Sequence, residues 1–212
     1  MCEVEQGEQA ITGLNSRQAA IKRIFDFIFS LSGLILTSWI IVPAYILATL
    51  DTGNNGFFVQ KRVGYKGKFF ALIKLRTMRN DNPISTSVTT KEDSRITRLG
   101  RFWRKTKIDE LPQLINILLG DMSFVGPRPD VPGFADKLQG DDRIVLNVRP
   151  GITGPATLKY KNEEEILARQ ENPEKYNAEV IFPDKVRLNK EYIKNYSFIK
   201  DLKYIWQTIF PV

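Results

Sequence analysis

The sequence predicts an α+β protein, mostly helical, with an apolar N-terminal helix, one small β-hairpin and amphipathic helices toward the C-terminus. Three observations carry this. Residues 24–50 ("IFDFIFSLSGLILTSWIIVPAYILATL") contain one charge, Asp26, in a stretch long enough to cross a bilayer core of ~30 Å as a helix. Residues 57–78 ("FFVQKRVGYKGKFFALIKLRTM") read as two extended runs around a Gly-Tyr-Lys-Gly-Lys turn, which is hairpin patterning. Beyond residue 96, helices are expected at 97–106, 109–119, 163–171, 184–195 and 198–210, two of them with apolar residues at helical spacing.

The apolar segment is preceded by Arg17, Lys22 and Arg23 and followed by Lys61, Arg62, Lys66 and Lys68. Both flanks therefore favour the cytoplasm, which a simple span does not satisfy. Pro43 removes a helical hydrogen bond, and Ser30, Ser32, Gly33, Thr37 and Ser38 can relieve the polar groups that a bend exposes. A re-entrant helix over 21–51 with both ends on one membrane face fits this pattern. A straight transmembrane anchor and a buried core helix are the alternatives. Asp26 is expected near the interface, paired with Lys22 or Arg23 one turn away.

Residues 51–56 form a turn-rich break, and 79–95 ("RNDNPISTSVTTKEDSR") a polar loop. Pro112 is tolerable in the 109–119 helix because it lies in the first turn, and Leu111, Leu114, Ile115 and Leu118 make one stripe. Residues 149–160 read as loop and strand. In the last helix Phe198, Leu202, Ile205, Trp206 and Ile209 share a face suited to core packing or to a membrane interface.

The formal net charge is +7, with no histidine and one cysteine, Cys2. Histidine-dependent catalysis and metal sites are excluded, as are a disulfide framework and a cysteine zinc site. The positive balance favours anionic partners. An acidic pair at a helix start, Asp109 and Glu110, ordinarily serves as cap and dipole complement. Here Arg101, Arg104, Lys105 and Lys107 precede it, and Arg128 follows in a turn that two prolines stiffen. Such a set could hold a polyanion against a carboxylate, as phosphoryl transfer requires. A carboxylate can itself be the nucleophile, and carboxylates beside a diphosphate suit Mg²⁺.

Four stretches, "KRIFD", "VQKRVGYKGKFFALIKLRTM", "RITRLGRFWRKTKIDELPQLINILLGDMSFVGPRP" and "VRPGITGPA", closely resemble the bacterial sugar transferase family. These are the monotopic phosphoglycosyl transferases that begin surface glycan assembly. The match covers about residues 20–160 and reappears in "NYSFIKDLKYIWQTI". The resemblance implies transfer of a sugar-1-phosphate from a UDP-sugar to undecaprenyl phosphate, with release of UMP, through a covalent phosphosugar-aspartate. By this likeness Asp109 is the nucleophile and the Mg²⁺ ligand, Glu110 positions or deprotonates, and Lys74 belongs to the site. Arg104 and Arg128 match positions expected to contact phosphate. Three parts follow: an N-terminal tail (1–20), a re-entrant membrane helix (21–51) in one lipid leaflet, and a cytosolic catalytic domain (52–212) at the inner membrane. The resemblance admits a homodimer and gives no reason to expect nucleic acid as a partner.

The chain departs from the family pattern at three places. Many members break the membrane helix at Ser-Pro, where this chain has Ser38-Trp39, with the proline at Pro43. After "GITGPA" a common Gly-Arg pair is Tyr160-Lys161, so Lys161 keeps the charge without the arginine fork. A common aspartate before the last helix is Asn189, for which Glu163, Glu164 or Glu165 could substitute, although a solvated face is the simpler role for that run. A non-catalytic basic scaffold on anionic lipid would share the surface and the apolar helix while being indifferent to Asp109.

Overall fold

The computed structural model describes residues 13–79 and 95–210. Most of the expected tail, and the polar loop apart from its two end residues, lie outside them.

Helix α1 (Ser16–Thr52) opens on a capping box: Gln18 N–H donates to the Asn15 side chain at 2.8 Å, and Asn15 N–H to the Gln18 side chain at 3.0 Å. The helix runs unbroken through Pro43 and stops at Gly53, which takes a positive φ of 67°; it is thus longer at both ends than the 21–51 segment. Ser30, Thr37 and Ser38 each donate back to a carbonyl three or four residues earlier, an arrangement that bends helices. Its buried residues, Lys22, Asp26, Ser30, Ile41, Ala44, Ala48 and Thr52, form one stripe at helical spacing. The opposite face carries Ile28, Ile35, Leu36, Trp39, Val42 and Leu50, all exposed.

That stripe lies along the rest of the molecule from end to end. Ala44 and Ala48 pack with Leu75 and Trp103, and Gly33 lies against Leu114. Asp26 is buried, but Lys22 and Arg23 are not its hydrogen-bonding partners. It accepts from Ser123 Oγ and Phe124 N–H, both at 3.1 Å. Lys22 reaches Asp201 instead, and Arg23 donates to the carbonyls of Ile117 and Leu118. All three side chains face the domain, where each finds a partner held by other elements.

Strands β1 (Phe57–Val63) and β2 (Phe69–Leu75) form the expected antiparallel hairpin, in register from Phe57↔Leu75 to Val63↔Phe69. Asn116 occupies the free edge of β2. It accepts from Ile73 N–H at 3.0 Å and donates to Ala71 C=O at 2.7 Å, continuing the ladder with a side chain and blunting the edge. Asn116→Leu should orphan both backbone groups, at about 1–3 kcal/mol each; a thermal scan showing no loss of Tm would refute this role.

Helix α2 (Arg98–Thr106) is followed by a 3-10 turn (Ile108–Glu110) and α3 (Gln113–Leu119), with Pro112 at its N-cap. A short strand that sequence reading did not anticipate, β3 (Ser123–Val125), pairs in parallel with β4 (Gly151–Thr153), which lies in the stretch expected as loop and strand. Residues 149–160 therefore contain β4 and then α4 (Pro155–Lys159), with proline at its first turn. Helices α5 (Glu163–Ala168), α6 (Pro173–Tyr176), α7 (Phe182–Lys194) and α8 (Phe198–Ile209) complete the chain. The largest core joins Val63, Val125, Ile144, Leu146, Tyr192 and Ile193. On α8, Tyr204 and Ile205 pack inward, whereas Ile199, Leu202, Trp206 and Ile209 are exposed. Of its two possible uses, the shared apolar face thus serves the surface more than the core.

Candidate active site

Three chain segments bring the charged residues together. Lys107 adopts a positive φ of 60° and caps α2, its N–H bonded to the Trp103 carbonyl. This reversal turns the chain directly into the 3-10 turn that carries Asp109 and Glu110. The Gly-Pro-Arg-Pro turn leaves β3 beside β4: Gly126 N–H bonds Thr153 C=O at 2.9 Å and Gly151 N–H bonds Pro127 C=O at 2.8 Å. The backbones are so close that a Cβ on Gly151 would strike Gly126, which is why glycine is needed there. Lys74 comes from β2.

These segments converge on Glu110. Arg128 donates to Glu110 Oε1 at 2.7 Å, and Lys74 reaches the same oxygen at 3.2 Å. Burial alone would raise the Glu110 carboxyl, but Arg128 and then Lys74 offset it and hold the group well below the usual carboxylate range. A carboxylate so firmly ionised is a poor proton acceptor, so of the two expected roles the geometry favours positioning. Burial lowers the Lys74 ammonium while Glu110 opposes it, and Glu110 raises Arg128 further.

Asp109 is buried, as its neighbour nearly is, but lacks that neighbour's ion pairs. It is 8 % exposed, and its buried Oδ1 has no hydrogen-bond partner. Burial, then the charge of Glu110, raises its carboxyl, against the cations Lys74, Lys107 and Arg104. A buried carboxylate oxygen without a partner is costly for folding.

Arg104 extends from α2, donating to Thr77 Oγ1 at 3.0 Å and meeting Glu164 at 3.9 Å. Lys161 is exposed between α4 and α5 and makes no hydrogen bond or ion pair among the described residues. Ser38 and Pro43 lie on the outer face of α1. Asn189 is buried on α7 with Oδ1 unpartnered.

Sequence reading missed part of this surround. Arg62 donates to the Pro129 carbonyl at 3.0 Å and braces the Arg128 turn; it had stood out only as flanking charge. Asp130 is raised by burial to about 6 despite Lys185 and Arg62. Glu163 binds Lys185 through both oxygens at 2.7 Å. On the same helix Glu164, which stays exposed, stands 3.9 Å from Arg104.

This cluster of charged side chains and an exposed apolar helix belong to one chain, and comparison with known proteins shows its family. The family model described as bacterial sugar transferase matches residues 17–212. A Bacillus subtilis protein with the provisional name undecaprenyl-phosphate N-acetylgalactosaminyl 1-phosphate transferase is 44 % identical over 154 residues, covering 70 % of this chain and 82 % of the relative. A second Bacillus subtilis protein, an uncharacterized sugar transferase, is 35 % identical over 189 residues, covering 89 % and 85 %. The Salmonella typhimurium undecaprenyl-phosphate galactose phosphotransferase is 33 % identical over 205 residues, 89 % of this chain but 39 % of that longer protein. The chain belongs to the bacterial sugar transferase family.

Proposed function

We propose that this protein transfers a sugar-1-phosphate from a UDP-sugar to undecaprenyl phosphate and releases UMP, through a phosphosugar carried on Asp109. The observation that carries this is the buried, unpartnered Oδ1 of Asp109 among Lys74, Arg104 and Lys107. In the first half-reaction that carboxylate attacks the β-phosphorus of the donor. The bond from the β-phosphorus to the bridging oxygen breaks, and UMP departs with that oxygen. In the second, an oxygen of the lipid phosphate attacks the same phosphorus and the Asp109 carboxylate leaves. Arg104 and Arg128 bind phosphate oxygens, while Glu110 fixes Arg128 and Lys74 in place.

Mg²⁺ fits the donor set. Glu110 is occupied by two cations, and among the described residues no group of three or more His, Cys, Asp or Glu could hold a metal. Asp109 Oδ1 has no hydrogen-bond partner, the two cations on Glu110 share its Oε1, and Mg²⁺ commonly takes one or two carboxylates plus substrate phosphates. When bound, it would neutralise the charge that develops on those phosphates.

A seat in one leaflet, at the cytoplasmic face, is part of this reading. Helix α1 rests on the domain from Lys22 to Thr52, so neither end is free to reach the opposite face. Its outward side presents apolar residues such as Leu36 and Leu50, more than 70 % exposed, and the exposed side of α8 adds Trp206 and Ile209. Lipid is the solvent that such a surface requires.

The test is UMP release by purified protein with undecaprenyl phosphate, Mg²⁺ and a panel of UDP-sugars. Release with one or two sugars is expected. Silence across the panel from folded protein would reject the reaction and favour a lipid-bound scaffold.

A further inference from the structure

Helix α5 brings Glu163 and Glu164 close to cations, Arg104 of the candidate site among them. Glu164 meets Arg104 at 3.9 Å, with Arg104 28 % and Glu164 49 % exposed at the side chain. The next residue back, Glu163, is held by Lys185 and its charge acts on Arg128. Arg104 is otherwise held by Thr77 Oγ1 and the Met78 sulfur, neutral groups that orient the guanidinium without neutralising it. The carboxylate stands near Arg104 Nη1, the guanidinium nitrogen that neither neutral partner uses. A guanidinium binds carboxylate and phosphate through the same N–H fork, so the two anions are alternatives there.

We propose that Glu164 is an internal competitor for the phosphate site: a diphosphate must displace it from Arg104, and the exchange makes α5 the element that lies against the bound substrate. The inference rests on the proposed reaction only in taking the incoming anion to be a diphosphate. Because the competing pair is partly exposed, its strength is that of a surface ion pair, which sets the expected effect at about two- to fivefold in affinity. Such a contact is strong enough to discourage weak anions and weak enough to yield to a doubly bridged diphosphate.

The probe is inorganic pyrophosphate, titrated calorimetrically into the purified full chain with and without Mg²⁺. Glu164→Gln should bind pyrophosphate about two- to fivefold more tightly than the parent. Glu174→Gln, an equal charge change on exposed α6, should bind as the parent does. In an Arg104→Gln background, binding should weaken and Glu164→Gln should no longer matter, since the coupling runs through that pair. Equal tightening in both glutamate variants, no tightening in Glu164→Gln, or no pyrophosphate binding by the parent would each overturn the proposal. A UMP assay on the same preparations separates the two readings: the expected pattern of pyrophosphate binding without UMP release would reject the proposed reaction and leave the competition standing.

Discussion

Asp109→Asn should abolish turnover and at the same time raise Tm. The nucleophilic oxygen would be replaced by an amide that cannot form the phosphoryl ester, so UMP release should fall on the order of 10⁴-fold or more. The stability gain has a separate origin. In the parent, a carboxylate with a buried, unpartnered oxygen stands next to ionised Glu110, and both effects disfavour its charge. A neutral isostere removes that penalty, at about 2–4 °C of Tm for each kcal/mol relieved. Because the folded-state pKa lies above the unfolded value, the parent is penalised at pH values above the raised pKa. The penalty fades as pH falls through it. The Tm difference between variant and parent should therefore be largest near neutral pH and shrink on acidification. The acid limb of kcat/KM in the parent should lie above the ordinary aspartate value for the same reason. A variant that keeps full activity would remove Asp109 from the chemistry; one that is inactive but less stable would remove the idea of a strained carboxylate.

The reach of sequence reading follows the range of the forces involved. The hairpin, α2 and the C-terminal helices were legible because turn chemistry and apolar spacing act within a few residues. Asp109, Glu110, Arg104 and Arg128 were visible as charges clustered along one stretch of sequence, whereas Lys74 entered only through the family resemblance. Which of them meet was not visible. The parallel pairing of β3 with β4 joins residues far apart in sequence through three-residue strands, too short to show a period. Asp26 illustrates the same limit. Its neighbours one turn away were the natural partners by helix geometry, but the partners it found, Ser123 and Phe124, lie nearly a hundred residues downstream. The contrast between the two adjacent carboxylates also depends on those distant contacts: Arg128 and Lys74 select Glu110 and leave one Asp109 oxygen unmet.

The largest expected effect on stability lies away from the chemistry, where α1 joins α8. Lys22 forms an ion pair with Asp201, and both side chains are less than 10 % exposed. Asp201 also accepts from Tyr192 Oη at 2.7 Å and Tyr196 Oη at 3.3 Å. Removing one side of a buried pair leaves an uncompensated charge and costs about 3–5 kcal/mol. Asp201→Asn should therefore lower Tm by roughly 6–20 °C, because the Lys22 ammonium then faces an amide and two phenols instead of a carboxylate. Lys22→Met should cost less, since Asp201 keeps its two phenolic donors. That ordering is the informative part. If the pair served only as a generic hydrophilic contact, the two variants would lose similar stability, and both losses would be small. If it fixes the N-terminal half of α1 against the domain, Asp201→Asn should also loosen that half selectively. Amide hydrogen exchange should then rise between residues 17 and 30, while the hairpin edge secured by Asn116 keeps its protection. Helix α1 would in that case be held to the domain by polar contacts at its first turns and by small-residue packing at Ala44 and Ala48, leaving its whole apolar face to lipid.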